Sequence, residues 1–404
     1  MLVQFRFKNY GSFKDEVIFD MRAIKAYKEH PYNLVKEDEK TSILKVASIY
    51  GSNASGKSNF VNAYSCFLTI INSSFSGKTK EKQEPVLALN YNPFLFDEDS
   101  SEDTEFEATY YSTGSEYKYG YIYNKTRVKY EWMYKRSSST GRQVNILERT
   151  PNKISLGPSV KSTCEKYIPD IDNDVLALSF LSSLKLRTHV FKDVLYNTQD
   201  ILPMTFTCDR SVNHLLDVYF KNEFNKDEKD NLLAFLNAID ISIKDIDVKK
   251  NNNSISVYTY HYGKNQKLHE VPFEIESDGT KKAIAIYTLV RIATLYNKGL
   301  IFDELNMQLH PLLLKYFIDF FYKENTKGQL IYTTHDTTLL DKRYMRRDQI
   351  WFTSKNSDGE SSLYSLAEFK IRNDESFEKE YLGGVFGAIP ILKDFSFGGN
   401  ESGD

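Results

Sequence analysis

Cysteine is scarce in this 404-residue chain. Its three cysteines, Cys66, Cys164 and Cys208, lie far apart and form no C-x-x-C pair. That spacing argues against a disulfide framework and against a thiolate zinc site, and it fits a reducing compartment. Long apolar runs are also missing. No stretch nears the roughly 20 residues needed to span a bilayer. The opening residues Met1 to Phe7 alternate like a strand rather than forming the apolar core of a signal peptide. The expectation is a cytoplasmic protein with no membrane segment. Net charge is nearly absent: 52 Lys and Arg stand against 55 Asp and Glu, a formal −3. Attraction to nucleic acid or to an anionic surface would therefore need a local patch. The sequence has no internal repeat and no sustained heptad array, so no coiled-coil arm is expected. The only biased tract is the Gly/Ser/Asp-rich tail, Gly398 to Asp404.

What the chain does have is aromatics, with 28 Tyr and 27 Phe, and one stretch of strong chemical meaning. Gly51-Ser52-Asn53-Ala54-Ser55-Gly56-Lys57-Ser58 fits G-x-x-x-x-G-K-[ST]. An apolar run, Val46 to Tyr50, precedes it, and a helix-compatible run from Asn59 to Tyr64 follows. Strand, tight loop and helix N-terminus form the context in which this pattern cradles a polyphosphate. Small residues let backbone N–H groups turn inward, and the helix end adds partial positive charge. Lys57 is expected to reach the β- and γ-phosphates of ATP, and the Ser58 hydroxyl to hold Mg²⁺.

Three later stretches complete the pattern. Gly299-Leu300-Ile301-Phe302-Asp303-Glu304 is a short apolar strand ending in two carboxylates. Asp303 would support Mg²⁺, and Glu304 would polarise an attacking water. Leu330 to Asp336 is a second strand, with His335 at its end placed either to meet the γ-phosphate or to cap a turn. Ser277-Asp278-Gly279-Thr280 opens an apolar helix through Ala283 to Val290. A Ser/Gly turn there suits a phosphate, though every capped helix shares that look. His310-Pro311 opens a further helix.

Elsewhere, residues 1–20 predict two strands around a turn. Residues 104–150 alternate with period two and predict an antiparallel meander. Basic residues, among them Lys118, Arg127, Lys129 and Arg149, interleave with its tyrosines. Over 117–149 such a surface could bind nucleic acid, backbone and bases together, or could be an ordinary solvated sheet face. Residues 160–240 read as helical. Three strands are predicted over 241–275: Ile241 to Val248, Ser254 to Tyr262 and Leu268 to Ile275. The expected division is an N-terminal lobe over 1–154, a mainly helical insertion over 155–245 and a C-terminal lobe over 246–404.

The order Gly51–Ser58, Ser277–Thr280, Asp303–Glu304 and His335 resembles the ABC-type ATPase head of the RecF, SMC and OLD group. More specific stretches are Phe7-Lys8-Asn9-Tyr10-Gly11-Ser12-Phe13, Tyr50 to Asn59, Glu304 to Pro311 and Tyr381 to Pro390. Together they resemble the RloA/AbiL-type ATPases of bacterial abortive-infection operons, relatives of the ATPase of the PARIS phage-defence system. The likeness is weakest across 155–245. The fold it implies is an α/β, ABC-type P-loop NTPase head carrying an antiparallel β subdomain and a mainly helical insertion. It implies an Mg²⁺-dependent ATPase, with ATP bound by Gly51 to Asn59. It also implies that Ser277 and Gly279 match the signature motif, which meets the γ-phosphate held by another copy. Two heads would then sandwich ATP head to tail in a homodimer or higher homo-oligomer. Asp278 and Thr280 stand where the L-S-G-G-Q form has Gly and Gln, which argues against a transporter. No glutamine is placed as the Q-loop; Gln83 lies in a charged loop. A further implication is a partner effector from the same operon, nuclease-like with a TOPRIM-like fold. The alternatives are a RecF-like DNA-repair ATPase and a nucleotide switch without turnover.

Overall fold

The computed structural model describes residues 1–39, 41–75, 86–97, 103–205, 209–251, 254–305, 310–323, 326–372 and 375–390. The charged segment with Gln83, Cys208, the stretch Asn306 to Leu309 and the tail Gly398 to Asp404 lie outside the described residues.

In chain order the first half carries β1 (Leu2–Lys8), β2 (Val17–Asp20), β3 (Leu34–Lys36), β4 (Ser42–Leu44) and β5 (Val46–Gly51). Then follow α1 (Lys57–Ser73), α2 (Val86–Leu89) and the strands β6 (Thr104–Ser112), β7 (Ser115–Tyr123), β8 (Val128–Ser137), β9 (Gln143–Thr150) and β10 (Lys153–Leu156). Helices α3 (Pro158–Cys164), α4 (Ala177–Ser183) and α5 (Val190–Gln199) lead to β11 (Ile201–Thr205). After them come α6 (Asp209–Val218), α7 (Lys226–Ala238) and the strands β12 (Asp245–Asn251), β13 (Ser254–Tyr262) and β14 (Leu268–Pro272). The chain continues through α8 (Asp278–Tyr296), β15 (Gly299–Asp303), α9 (Pro311–Lys323), β16 (Gln329–Thr334), β17 (Ile350–Lys355), β18 (Ser361–Ser365) and α10 (Phe377–Leu382).

Two large sheets organise these elements. One is antiparallel, in the order β10-β9-β8-β7-β6-β1-β2. The other runs β11-β15-β16-β5-β17-β18, with every pair parallel except β17–β18. A parallel sheet is stable when both faces are covered, and its strands read accordingly: all six residues of β5 and all five of β15 are buried. Alternate residues of β5 face opposite layers. Ala47 and Ile49 join the core that contains α1, whereas Val46 and Tyr50 join the core built by α9 and the C-terminal half of α8. The fold class is α/β, with an antiparallel subdomain beside the parallel sheet, as the sequence implied.

Helix α1 lies between the two sheets. Phe60, Ala63, Tyr64, Phe67, Ile70 and Ile71 recur at helical spacing and are buried. Phe5 packs on Phe60, Tyr64 and Phe67, and Phe67 stacks on Tyr121 at 5.7 Å. The Tyr64 and Tyr110 hydroxyls meet at 2.9 Å, and the Tyr121 hydroxyl donates to the Phe67 carbonyl at 3.0 Å. This packing settles the character of the meander. Tyr117, Tyr119, Tyr121 and Tyr123 are all buried, because alternate positions of β7 point to one face. They are core and are not available to stack on bases. The basic residues are largely engaged as well. Lys118 pairs with Glu107 at 3.2 Å, Lys129 with Asp103 at 2.6 Å, and Arg149 is buried beside Glu131. Arg127, Arg136 and Arg142 remain exposed.

Three other expectations change. The meander predicted over 104–150 forms β6 to β9 and extends beyond 150 into β10. The helical stretch contains β11, an edge strand of the parallel sheet with Pro203 inside it, which an edge tolerates. The strand expected over Leu268 to Ile275 stops at Pro272 and continues as a 3₁₀ turn, Phe273–Ile275. Helices α3 to α5 pack into the α1 core, whereas α6 and α7 form a third core with β12, β13 and the N-terminal half of α8.

Candidate functional site

The site lies at the carboxyl ends of β5, β16 and β15, which are adjacent in that order. This is where open parallel sheets bind ligands, because loops and helix N-termini converge there. The tight turn after β5 depends on its glycines. A Cβ on Gly51 would sit 2.3 Å from Thr353 Oγ1 and 2.6 Å from Ser55 Oγ. Gly56 has φ 118, and a Cβ there would meet Ser361 at 2.7 Å. No side chain caps α1 at Gly56, so the first-turn N–H groups face the loop opening, the arrangement that holds a phosphate. Within the loop, Ser52 is half-buried, Asn53 and Ala54 are exposed, and Ala54 has φ 61. Ser58 is exposed at the first turn of the helix.

Lys57 folds back over this loop. Its Nζ donates to the carbonyls of Gly51 and Ser52, each at 2.9 Å. Burial pulls its ammonium down to about 8, while the carboxylates of Glu304 and Asp303 push it up. Those carboxylates arrive at the end of β15. The Thr333 hydroxyl donates to Asp303 Oδ1 at 2.7 Å and accepts the Glu304 amide at 2.7 Å. The Leu305 amide adds a bond to the Thr333 carbonyl at 3.1 Å. Glu304 has φ 51, a left-handed conformation that costs on the order of 1 kcal/mol or more for a residue with a Cβ. The Thr333 contacts hold it there. His335, just past β16, places Nε2 3.6 Å from Glu304 Oε1. Burial and the nearby Lys57 ammonium keep its ring below the usual histidine range, although Glu304 and the Gly51 backbone favour the protonated form.

Lys57, Asp303, Glu304 and His335 are thus brought together, while Ser277 and Gly279 are not part of that cluster. They mark the start of α8, whose C-terminal half covers the parallel sheet. Ser277 caps the helix, with its Oγ accepting the Thr280 amide at 3.1 Å. At 1.5 Å per residue it lies about 20 Å along the helix from Val290. Space around Gly279 is open, the nearest atom to a Cβ being Ser277 Oγ at 3.8 Å.

Asn59 points away from the loop, donating to Ser12 Oγ at 2.8 Å. This contact belongs to a brace that sequence reading does not find. Ser361 Oγ donates to Ser12 Oγ at 2.7 Å, the Ser361 amide donates to the Ser12 carbonyl at 2.7 Å, and Ser55 Oγ meets Thr353 Oγ1 at 2.6 Å. Thr333 likewise belongs to no motif, although the Thr-Thr-His run at a strand end is its visible signal. Replacing Thr333 with Val removes both hydroxyl contacts. The expected result is a loss of about 1–3 kcal/mol in thermal or denaturant unfolding, with ATP turnover falling about tenfold through misplaced carboxylates.

The residues fit a nucleotide with a divalent cation: glycines that leave no room for Cβ atoms, an uncapped helix N-terminus, one ammonium and two carboxylates. Among the described residues, no group of three or more His, Cys, Asp or Glu forms a further metal-binding set. No helix there is long and apolar enough to cross a membrane.

Among curated proteins, none matches the chain. Solved structures to which it is similar include the SMC head bound to the C-winged helix domain of ScpA. That match has 13% identity and a TM-score of 0.45, covering 90% of this chain and 97% of that one. The SMC head domain from Thermotoga maritima matches at 12% identity and a TM-score of 0.40, covering 92% and 99%. The SMC head with an extended coiled coil from Pyrococcus furiosus, bound to the C-terminal domain of ScpA, matches at 12% and 0.39, covering 95% and 99%. A family model described as "AAA domain, putative AbiEii toxin, Type IV TA system" matches residues 46–341, from the first residue of β5 to beyond His335. The chain belongs to that family of AAA-domain proteins.

Proposed function

We propose that the protein is an Mg²⁺-dependent ATPase of bacterial defence against phage, acting as a sensor or regulator that controls a partner toxin or nuclease. The observation that carries the ATPase reading is the convergence of Lys57, Asp303, Glu304 and His335 at three adjacent strand ends. Backbone amides of the Gly51–Ser58 loop would hold the phosphates, with Lys57 neutralising their charge. Mg²⁺ would be held by Ser58 and Asp303, and when bound it supplies Lewis-acid polarisation of phosphate oxygens. Glu304 orients and deprotonates the attacking water, and the neutral ring of His335 keeps Glu304 in place and meets the developing charge. Ser277 and Gly279, which lie outside that cluster, would complete the site of a second copy in a head-to-tail dimer.

The family description, with its putative AbiEii toxin and type IV toxin–antitoxin system, supports the defence reading, as does the RloA/AbiL-type resemblance to abortive-infection ATPases. The effector would be a separate protein, nuclease-like and encoded nearby, and the setting cytoplasmic. A RecF-like DNA-repair role would draw on the meander over 117–149, whose tyrosines Tyr117, Tyr119, Tyr121 and Tyr123 are buried.

Two results test the loop. Lys57→Ala should abolish measurable ATP binding. In the unaltered protein, a Lys57 ammonium that titrates at about 8 must be protonated to hold a polyphosphate. ATP affinity should therefore fall as pH rises above that value, by up to about tenfold per unit, with proton uptake on binding. Titration calorimetry in buffers of different ionisation heat reads this directly. A flat affinity between neutral pH and pH about 9 would remove Lys57 from the phosphates.

A further inference from the structure

Glu276, the residue before Ser277, is not explained by the P-loop site. Its side chain is largely buried, at 9% exposure, and it is held from β13 rather than from its own helix. The Thr259 hydroxyl donates to Glu276 Oε1, and His261 Nε2 lies 2.6 Å from the same oxygen. A carboxylate only accepts, so the Nε2 of His261 carries the proton. The Val271 carbonyl of β14, 3.3 Å from the same hydroxyl, is the alternative acceptor for its single proton. On the other side, Phe273 is buried in the third core against Phe220 at 5.4 Å, and Lys281 Nζ donates to the Glu274 carbonyl. The segment between β14 and α8 is therefore pinned at Phe273 and Glu276, while Ile275 between them is 72% exposed. Ser277 follows directly and caps α8 through Thr280.

We infer that Glu276 is a positioning residue: its contacts with Thr259 and His261 of β13 fix where Ser277 and Gly279 stand, coupling the β12–β14 sheet to the ATP site of a second copy. This rests on the proposed role of Ser277 in trans. A cap serine free to shift by an ångström would still start the helix, but it would not meet a phosphate held by another molecule. Glu276 touches no nucleotide itself. Its loss should leave binding to the chain's own loop intact and weaken only what two copies build together.

The test uses the full chain. Glu276→Ala should bind ATP with affinity within about twofold of wild type, while turnover at saturating ATP falls about tenfold or more. In a Glu304→Gln background, the ATP-dependent dimer should weaken by about tenfold or more, read by sedimentation. The double change Thr259→Val with His261→Phe should reproduce this with Glu276 intact. Glu276→Gln, whose Oε1 still accepts both donors, should recover turnover to within about threefold. Wild-type turnover and dimerisation in a folded Glu276→Ala protein would overturn the inference. So would a parallel loss of ATP affinity and melting temperature, which would mark a merely structural role. Ser277→Arg separates the two levels. If it leaves dimerisation and turnover untouched, the trans reading falls and this inference with it. If it is inactive while Glu276→Ala is not, only the positioning role is rejected.

Discussion

Glu304→Gln should lower ATP turnover by roughly 10²–10⁴-fold, the range a positioned general base supplies, while leaving ATP affinity nearly unchanged. Glutamine keeps the shape of glutamate, so the left-handed turn and the bond from the Glu304 amide to Thr333 persist. What disappears is the carboxylate that would take a proton from water. The contact with His335, at 3.6 Å longer than a hydrogen bond, does not depend on the lost charge, because burial and the Lys57 ammonium hold the ring below the usual histidine range. An enzyme that binds but cannot hydrolyse accumulates its ATP-bound state, so this variant should run as a dimer in ATP and as a monomer without it. Size-exclusion with light scattering reads the mass. Only monomer in ATP would defeat the sandwich, and undiminished turnover would show that water is activated elsewhere. If the protein acts in defence as proposed, cells carrying the neighbouring genes should also lose phage protection. Protection that survives Glu304→Gln would mean that turnover is not part of the defence mechanism.

The residues of that argument were legible because each sits in a short local string. The loop after β5, the two carboxylates ending β15 and the histidine after β16 all follow apolar strands, and a parallel sheet puts such strand ends side by side. What holds them was not legible. Ser12, Thr353 and Ser361 brace the loop from across the sequence, and none belongs to a pattern. Thr333 looks like any strand threonine until its hydroxyl is seen between Asp303 and Glu304. The tyrosines of β7 show the opposite failure. Period-two alternation correctly announces a strand but leaves open which face is covered, and here the aromatic face packs on α1. Strand β11 was hidden because a five-residue edge strand containing Pro203, in helical surroundings, offers no periodicity to read.

The largest stability loss is expected at Glu131→Ala, in the meander rather than at the candidate nucleotide site. Glu131 is buried, and it accepts the amides of Ala177 and Leu178 at 2.8 and 2.9 Å and the Tyr119 hydroxyl at 2.9 Å. Arg149 lies 3.9 Å away and donates to the carbonyls of Val175, Asp172 and Asn173. One carboxylate thus fastens the meander to the start of α4. Alanine would strand two amides, a hydroxyl and a buried guanidinium together, which should cost about 3–5 kcal/mol in denaturant unfolding. Glutamine keeps an acceptor but turns an NH₂ toward a donor, so a smaller loss of about 1–3 kcal/mol is expected. Burial outweighs the hydrogen bonds and Arg149, holding the Glu131 carboxyl above its ordinary value of 4.5. A raised folded value means that the native state keeps its proton longer than the unfolded chain. This group's contribution is therefore full below the unfolded value and declines as pH rises through the folded one. The stability advantage of wild type over Glu131→Gln should accordingly be greatest in acid and shrink toward neutrality. An advantage that grows with pH would mean the charged form is the favoured one, with Arg149 and the amides dominating over burial.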